Sequence, residues 1–241
     1  MSFAGLKSGM IIGLKAHMIK VECDIGRGMS SFSLIGLGDK AIEESKDRVC
    51  SALRNANFTN PKQTNHKATI SLAPGDLRKE GTNFDLPIAL AYLIANSEIS
   101  ISEKEIEESM FVGELSLKGN ITKLKGALAI SELAEKNGIK NLFLPKENEE
   151  EAALIKNINV YGVDTLKEVI EHITGKRKLE KTQETNPKEF LNKEEISFTD
   201  MRDIKGQTAA KRALLIATSG GHNIIMYGPP GTGKTMLARA S

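Results

Sequence analysis

Eight consecutive residues near one end of the chain, Gly228-Pro229-Pro230-Gly231-Thr232-Gly233-Lys234-Thr235, have the types and spacing for one specific chemistry. A glycine, four free positions and then Gly-Lys-Thr let the backbone curl so that successive N–H groups turn inward, where they hold phosphate oxygens. Side chains at the glycines would obstruct that curl. Lys234 supplies a point charge for β- and γ-phosphates, and the Thr235 hydroxyl is the expected Mg2+ ligand. The apolar run Asn223-Ile224-Ile225-Met226-Tyr227 reads as a strand entering the loop, and Met236-Leu237-Ala238-Arg239 as a helix leaving it, which is the order such a site needs. The ligand class is a nucleoside triphosphate.

Other residue types offer less. The two cysteines, Cys23 and Cys50, lack metal-type spacing, and so few thiols fit a reduced compartment with both buried as small hydrophobes. His17, His66, His172 and His222 are scattered, with no carboxylate or cysteine at ligand spacing, and read as ordinary surface or strand histidines. With 33 basic and 31 acidic residues the net charge is +2, so no global field favours nucleic acid or an anionic membrane. The N-terminus lacks the long apolar stretch of a signal peptide, and no run of apolar residues is long enough to span a bilayer. The reading is cytoplasmic, with no membrane partner.

The 241 residues leave room for one large domain or two ordinary ones. Ile11 to Leu37 reads as two or three short strands, followed by a helix that Asp39 caps and that carries Ile42, Ser45, Val49, Leu53 and Ala56 at helical spacing. Lys67 to Ala73 is a strand, and Asp85 to Asn96 a buried helix that Pro87 enters in its first turn. Phe111 to Leu117 and Ile121 to Leu124 flank Lys118-Gly119-Asn120, a tight hairpin in which glycine and asparagine suit positive φ. Beyond it come a helix from Ala127 to Lys136, a strand at Asn141 to Leu144 and a helix from Glu147 to Ile155. A strand at Asn159 to Gly162 and a helix from Thr165 to Ile173 close the pattern. Strands alternating with helices indicate an α/β or α+β fold with a mixed sheet and packed helices. From Gly175 the composition turns to Lys, Glu, Thr and Asn. The organisation is therefore a domain over residues 1–175, a linker over 176–196 in which Lys176-Arg177-Lys178 is a solvated charge run, and a second domain beginning over 197–241.

The doublet Pro229-Pro230 makes the loop resemble that of the AAA+ ATPases, which implies ATP as the nucleotide. Upstream, Asp203-Ile204-Lys205-Gly206-Gln207, the following helix, and Gly220-Gly221-His222-Asn223 resemble the magnesium-chelatase-like branch, in which the stretch from Asp203 to Gln207 lies near the adenine. The runs Gly36-Leu37-Gly38-Asp39, Ser71-Leu72-Ala73-Pro74 and Phe84-Asp85-Leu86-Pro87-Ile88-Ala89-Leu90 resemble the YifB/ComM family, so the likeness covers essentially the whole chain.

The first domain also resembles the proteolytic domain of Lon proteases, through Gly113-Glu114-Leu115-Ser116-Leu117-Lys118-Gly119 and Gly138-Ile139-Lys140-Asn141-Leu142-Phe143-Leu144-Pro145-Lys146-Glu147-Asn148. Lon chemistry needs a serine nucleophile and a lysine base. The run that would carry the serine reads Lys79-Glu80-Gly81-Thr82-Asn83, which puts an amide where the hydroxyl belongs. The lysine position falls on Leu128, expected to be packed into the interior. The domain is therefore expected to be Lon-like without Lon catalysis; a rearranged pair of Thr82 with Lys123 or Lys125 is the least favoured alternative.

For function, the resemblance implies a homo-oligomeric, hexameric ring driven by ATP that acts on single-stranded or branched DNA in recombination or transformation. The alternative is a chelatase-type or protein-remodelling subunit with the first domain as an interaction module. An acidic strand to complete the magnesium site and an arginine from a neighbouring subunit would lie beyond Ser241. Asp200 and Asp203 precede the loop and do not fill that role. The chain thus reads as a fragment or truncated product with no catalytic residues of its own, and its tail from about Thr199 as only marginally stable.

Overall fold

The computed structural model describes residues 2–36, 40–75, 77, 79, 82–187 and 200–240. The Asp39 cap, the rest of the Leu37 to Asp39 run, Glu80, Gly81 and the later part of the expected linker lie outside the described residues. The chain divides into two compact units, Met1–Phe190 and Leu191–Ser241.

Unit 1 is built on a mixed seven-stranded sheet in the order β3-β4-β2-β1-β5-β8-β9. Its first half is made by β1 (Phe3–Ile12), β2 (Lys15–Arg27), β3 (Ser31–Ile35) and β4 (His66–Ala73). β1 and β2 form a long hairpin, β2 pairs antiparallel with β4, and β3 lies parallel to β4. The strands are longer than the glycine-punctuated sequence suggests: Gly26 lies inside β2, opposite Lys67, because the ladder continues through it. The second half is parallel throughout, with β5 (Ser109–Phe111) against β1, β8 (Asn141–Pro145) against β5 and β9 (Asn159–Val163) against β8.

Alternation along the strands explains the two cores. Phe111, Phe143 and Val163 point to one face and Met110, Leu142, Leu144 and Val160 to the other, since successive side chains leave a strand on opposite sides. Helices α1 (Lys40–Asn55), α2 (Asp85–Ala95) and α6 (Leu166–Ile173) contribute to the first core, and α4 (Ala127–Lys136) and α5 (Glu149–Ala152) to the second. All eleven residues of α2 are buried, as its nearly unbroken apolar sequence demands. A short helix α3 (Glu103–Glu108), opened by Ser102 accepting from Glu105 N, has no counterpart in the sequence reading, because its six residues bury no side chain and give no periodic signal.

Two further elements of unit 1 depart from expectation. The strand foreseen over Phe111 to Leu117 is split: Ser109–Phe111 joins the main sheet, while β6 (Glu114–Leu115) turns away to pair with β7 (Ile121–Thr122). Gly113 sits at the break, where a Cβ would come within 2.7 Å of the Ile121 side chain. In the turn only Gly119 takes positive φ; Asn120 does not. The helix foreseen over Glu147 to Ile155 is a 3-10 turn, Lys146–Asn148, followed by the four residues of α5. The side chain of buried Asn148 is turned to the backbone of Leu124, donating to its carbonyl and accepting from its N–H, both at 2.9 Å.

Unit 2 consists of a 3-10 turn at Met201–Asp203, α7 (Thr208–Ser219) and α8 (Lys234–Arg239) around a small core of Ile204, Leu214 and Leu237. Residues 223–227, expected as a strand, pair with no other strand among the described residues. Their apolar side chains are correspondingly open, with Ile225 94% and Tyr227 102% exposed. A strand is stabilised by its neighbours, and unit 2 offers this run none. Among the described residues no helix is long and apolar enough to cross a membrane.

Candidate functional site

The loop from Gly228 to Thr235 curls as its glycines allow. Gly231 and Gly233 both have φ of +81°, with open space around each, so it is the backbone angle and not crowding that calls for glycine there. The chain then enters α8 at Lys234. The Lys234 Nζ donates to the carbonyls of Gly228 at 2.8 Å and Pro229 at 2.6 Å, and lies 3.4 Å from Thr232 Oγ1. Thr232 Oγ1 in turn donates to the Pro229 carbonyl at 2.9 Å. The ammonium and one hydroxyl thus hold the loop closed on itself. Thr235 is exposed in the first turn of α8, and Pro229, Pro230, Gly231 and Thr232 are exposed as well.

A cavity of about 440 Å³ opens beside the loop, lined by Gly228, Pro229, Thr232 and Lys234 together with Gln207, Ala210 and Leu214. Ile224 to Tyr227 line it as well. Gln207 is the residue that sequence reasoning did not single out. It takes a left-handed φ of 54° ahead of α7, and its Nε2 donates to the Thr232 carbonyl at 3.4 Å, tying the stretch before α7 to the loop. Asp200 and Asp203 are used locally: Asp200 Oδ1 accepts from Arg202 N at 2.8 Å, and Asp203 Oδ2 from Asp200 N at 3.1 Å, closing a capping box.

In unit 1 the positions corresponding to Lon catalysis hold a different chemistry. The Asn83 carbonyl accepts from Gly113 N at 2.9 Å, and the Thr82 hydroxyl donates to the Glu114 carboxylate. Leu128, expected to be packed inside, is 41% exposed, because α4 turns Ala127, Ile130 and Ala134 inward and leaves Leu128 on its outer side. Lys123 and Lys125 are exposed, without the burial that makes a lysine a base. Beneath Thr82 lies an ion pair. Arg48 Nε and Nη2 donate to Asp85 at 2.6 and 3.2 Å, Leu115 N donates to the same carboxylate at 3.1 Å, and Arg48 Nη2 reaches Ser45 Oγ at 3.0 Å. Burial pushes the Asp85 carboxyl up from its ordinary value, against the opposing pull of Arg48, Ser45 and Leu115. Both cysteines are buried, and burial pushes the Cys23 thiol up to about 12 and raises the Cys50 thiol too, so neither is a nucleophile.

His172 is not the surface or strand histidine expected. It sits in α6 at the end of an aromatic file, with its ring centroid 5.3 Å from Phe143 and 4.7 Å from Tyr161. Phe143 stacks on Phe111 at 4.9 Å.

A Lon-like mixed sheet with helices on both faces, joined in sequence to a loop of phosphate-holding form, defines the class. Residues 21–148, more than half the chain, match the family described as subunit ChlI of Mg-chelatase, and residues 200–241 match the one described as magnesium chelatase, subunit ChlI. Competence protein ComM of Haemophilus influenzae is 39% identical over 238 residues, 99% of this chain and 46% of that protein. The protein YifB of Escherichia coli is 37% identical over 99% of this chain and 45% of its own length. The chain belongs to the magnesium-chelatase ChlI family, as a member of the YifB/ComM type. It spans about half the length of these two relatives. A Lon protease of Mycoplasmopsis agalactiae is 27% identical over 129 residues, 52% of this chain and 13% of that protein, in keeping with the Lon-like fold of unit 1.

Proposed function

We propose that unit 2 binds ATP with Mg2+ at the loop from Gly228 to Thr235, and that the longer protein of this type is an ATP-driven, homo-oligomeric ring that processes single-stranded or branched DNA. The observation that carries the nucleotide reading is the convergence of Lys234 Nζ on the Gly228 and Pro229 carbonyls at the mouth of a cavity large enough for a nucleotide. Lys234 meets the β- and γ-phosphates, and the loop N–H groups hold the phosphate oxygens. The exposed Thr235 hydroxyl, next to Lys234 in the first turn of α8, fits a magnesium ligand. A magnesium ion held by Thr235 would supply positive charge to offset the negative charge of the phosphates. Hydrolysis draws on further residues of the longer protein.

The DNA reading is supported by the description of the Haemophilus relative as a competence protein. The chelatase name of the family favours a second reading, a chelatase-type or protein-remodelling subunit in which unit 1 is an interaction module. Lon-type proteolysis has no support from Asn83, Leu128 or the exposed Lys123 and Lys125.

The nucleotide reading is tested by titrating this chain with a fluorescent ATP analogue with and without Mg2+. Saturable, Mg2+-strengthened binding that Lys234→Ala abolishes is expected, and equal binding by the variant overturns it. Anisotropy of single-stranded and forked DNA with the full-length protein then separates the two readings. Salt-sensitive binding supports DNA processing, and its absence leaves the remodelling reading.

A further inference from the structure

Composition marks residues 176 onward as a linker, yet the stretch up to Thr185 is fastened to unit 1. Arg177 N donates to the Glu171 carbonyl at 3.0 Å, Leu179 N to His172 Nδ1 at 2.8 Å, and Thr185 N to the Ala153 carbonyl at 3.1 Å. Thr182 is held twice: its N–H donates to the Val160 carbonyl at 2.8 Å and its hydroxyl to Glu149 Oε2 at 2.9 Å. β9 is the last strand of the sheet, so Thr182 covers part of an otherwise open edge. Leu179 is the one hydrophobe of the stretch packed against the large core.

The bond to His172 is conditional on protonation. Nδ1 accepts, so the ring is neutral with its hydrogen on Nε2. A proton added at Nδ1 would confront the Leu179 N–H donor with a second donor. The groups facing the ring are Phe143 of β8, Tyr161 of β9, Glu105 of α3 and Lys178 of the strap itself. Burial disfavours the charged ring, Lys178 opposes it, and Glu105 favours it, with burial the largest effect.

We propose that residues 177–185 are a detachable strap latched by His172, docked while the imidazole is neutral and released when it takes a proton. Little else holds it: one leucine and a few partly exposed hydrogen bonds oppose the backbone entropy of the whole stretch. Loss of one bond, with a donor clash in its place, therefore decides the equilibrium. Release frees residues 177–185 from the β9 edge and from the large core of unit 1. The strap is a pH-sensitive cover on the outer edge of β9.

Hydrogen exchange of the whole chain, corrected for the intrinsic pH dependence of exchange, tests this. The Leu179, Thr182 and Thr185 amides are expected to be protected at pH 7.5 and to lose about tenfold or more of that protection together by pH 5.5, while the core amide of Val112 keeps its own. His172→Phe, which keeps an aromatic ring but has no acceptor, should show the released level at both pH values. Thr182→Val should weaken docking and leave the pH response in place. Free exchange of the three amides at pH 7.5 overturns the strap, and protection indifferent to pH overturns the latch. Should His172→Phe also loosen Val112, the wild-type titration against Val112 decides the matter.

Discussion

Arg48 Nε lies 2.6 Å from Asp85 Oδ2, with the carboxylate fully buried and the arginine side chain 17% exposed. The pair joins α1 to α2, and the Leu115 N–H brings β6 to the same carboxylate. Removing the cation would strand a buried charge, which costs far more than the pair itself contributes. Arg48→Met is expected to destabilise unit 1 by about 3–5 kcal/mol, measured by urea unfolding. The double variant Arg48→Met, Asp85→Leu should recover a large part of that loss.

Asn148 serves Leu124 as a neighbouring strand would, meeting both its N–H and its carbonyl. Asn148→Leu would leave both buried backbone groups without those partners. A loss of about 2–4 kcal/mol is expected from two such groups at about 1–2 kcal/mol each. Thermal or denaturant unfolding measures it.

Gly162 lies under the Glu149 side chain. A Cβ there would fall 2.2 Å from Glu149 Oε2 and 2.8 Å from its Cβ, so the carboxylate that accepts from Thr182 and from Lys146 would have to move. Gly162→Ala should cost about 1–3 kcal/mol and make limited trypsin digestion after Lys181 at neutral pH faster than in the wild type.

Stability should follow the protonation of His172. Burial holds its pKa below the ordinary 6.5, so the folded protein binds this proton less readily than the unfolded chain. The stabilisation is fully present above the unfolded value of 6.5 and is lost as pH falls from there to the depressed folded value. Urea midpoints at pH 7.5 and 5.5 should differ less in His172→Phe than in the wild type.

The sequence discloses local structure and leaves pairing in the dark. The helix Ala127–Lys136 is found at the residues its periodicity marks, because Ala127, Ile130 and Ala134 form one inward stripe. The run from Phe111 to Leu117 reads as one strand despite Gly113, and only the pairing of Glu114 and Leu115 with Thr122 and Ile121 shows that it leaves the main sheet there. Residues 223–227 have strand composition but acquire no ladder, since composition does not supply a partner. At the candidate nucleotide site the loop stands out through its glycines and Lys234, whereas Gln207 is expected only as part of the stretch near the adenine, and its contact to Thr232 is hidden because it joins residues far apart in sequence. His172 and Thr182 were hidden for the same reason.

The place of β1 in the sheet has a kinetic consequence. It pairs with β2 across a tight turn and, on its other edge, with β5 through Lys7 and Met110. The half made by β1 to β4 can therefore form as soon as those strands leave the ribosome, while the outer edge of β1 waits for the parallel half to be synthesised. Until then the edge of β1 that later meets β5 stands open in the nascent chain.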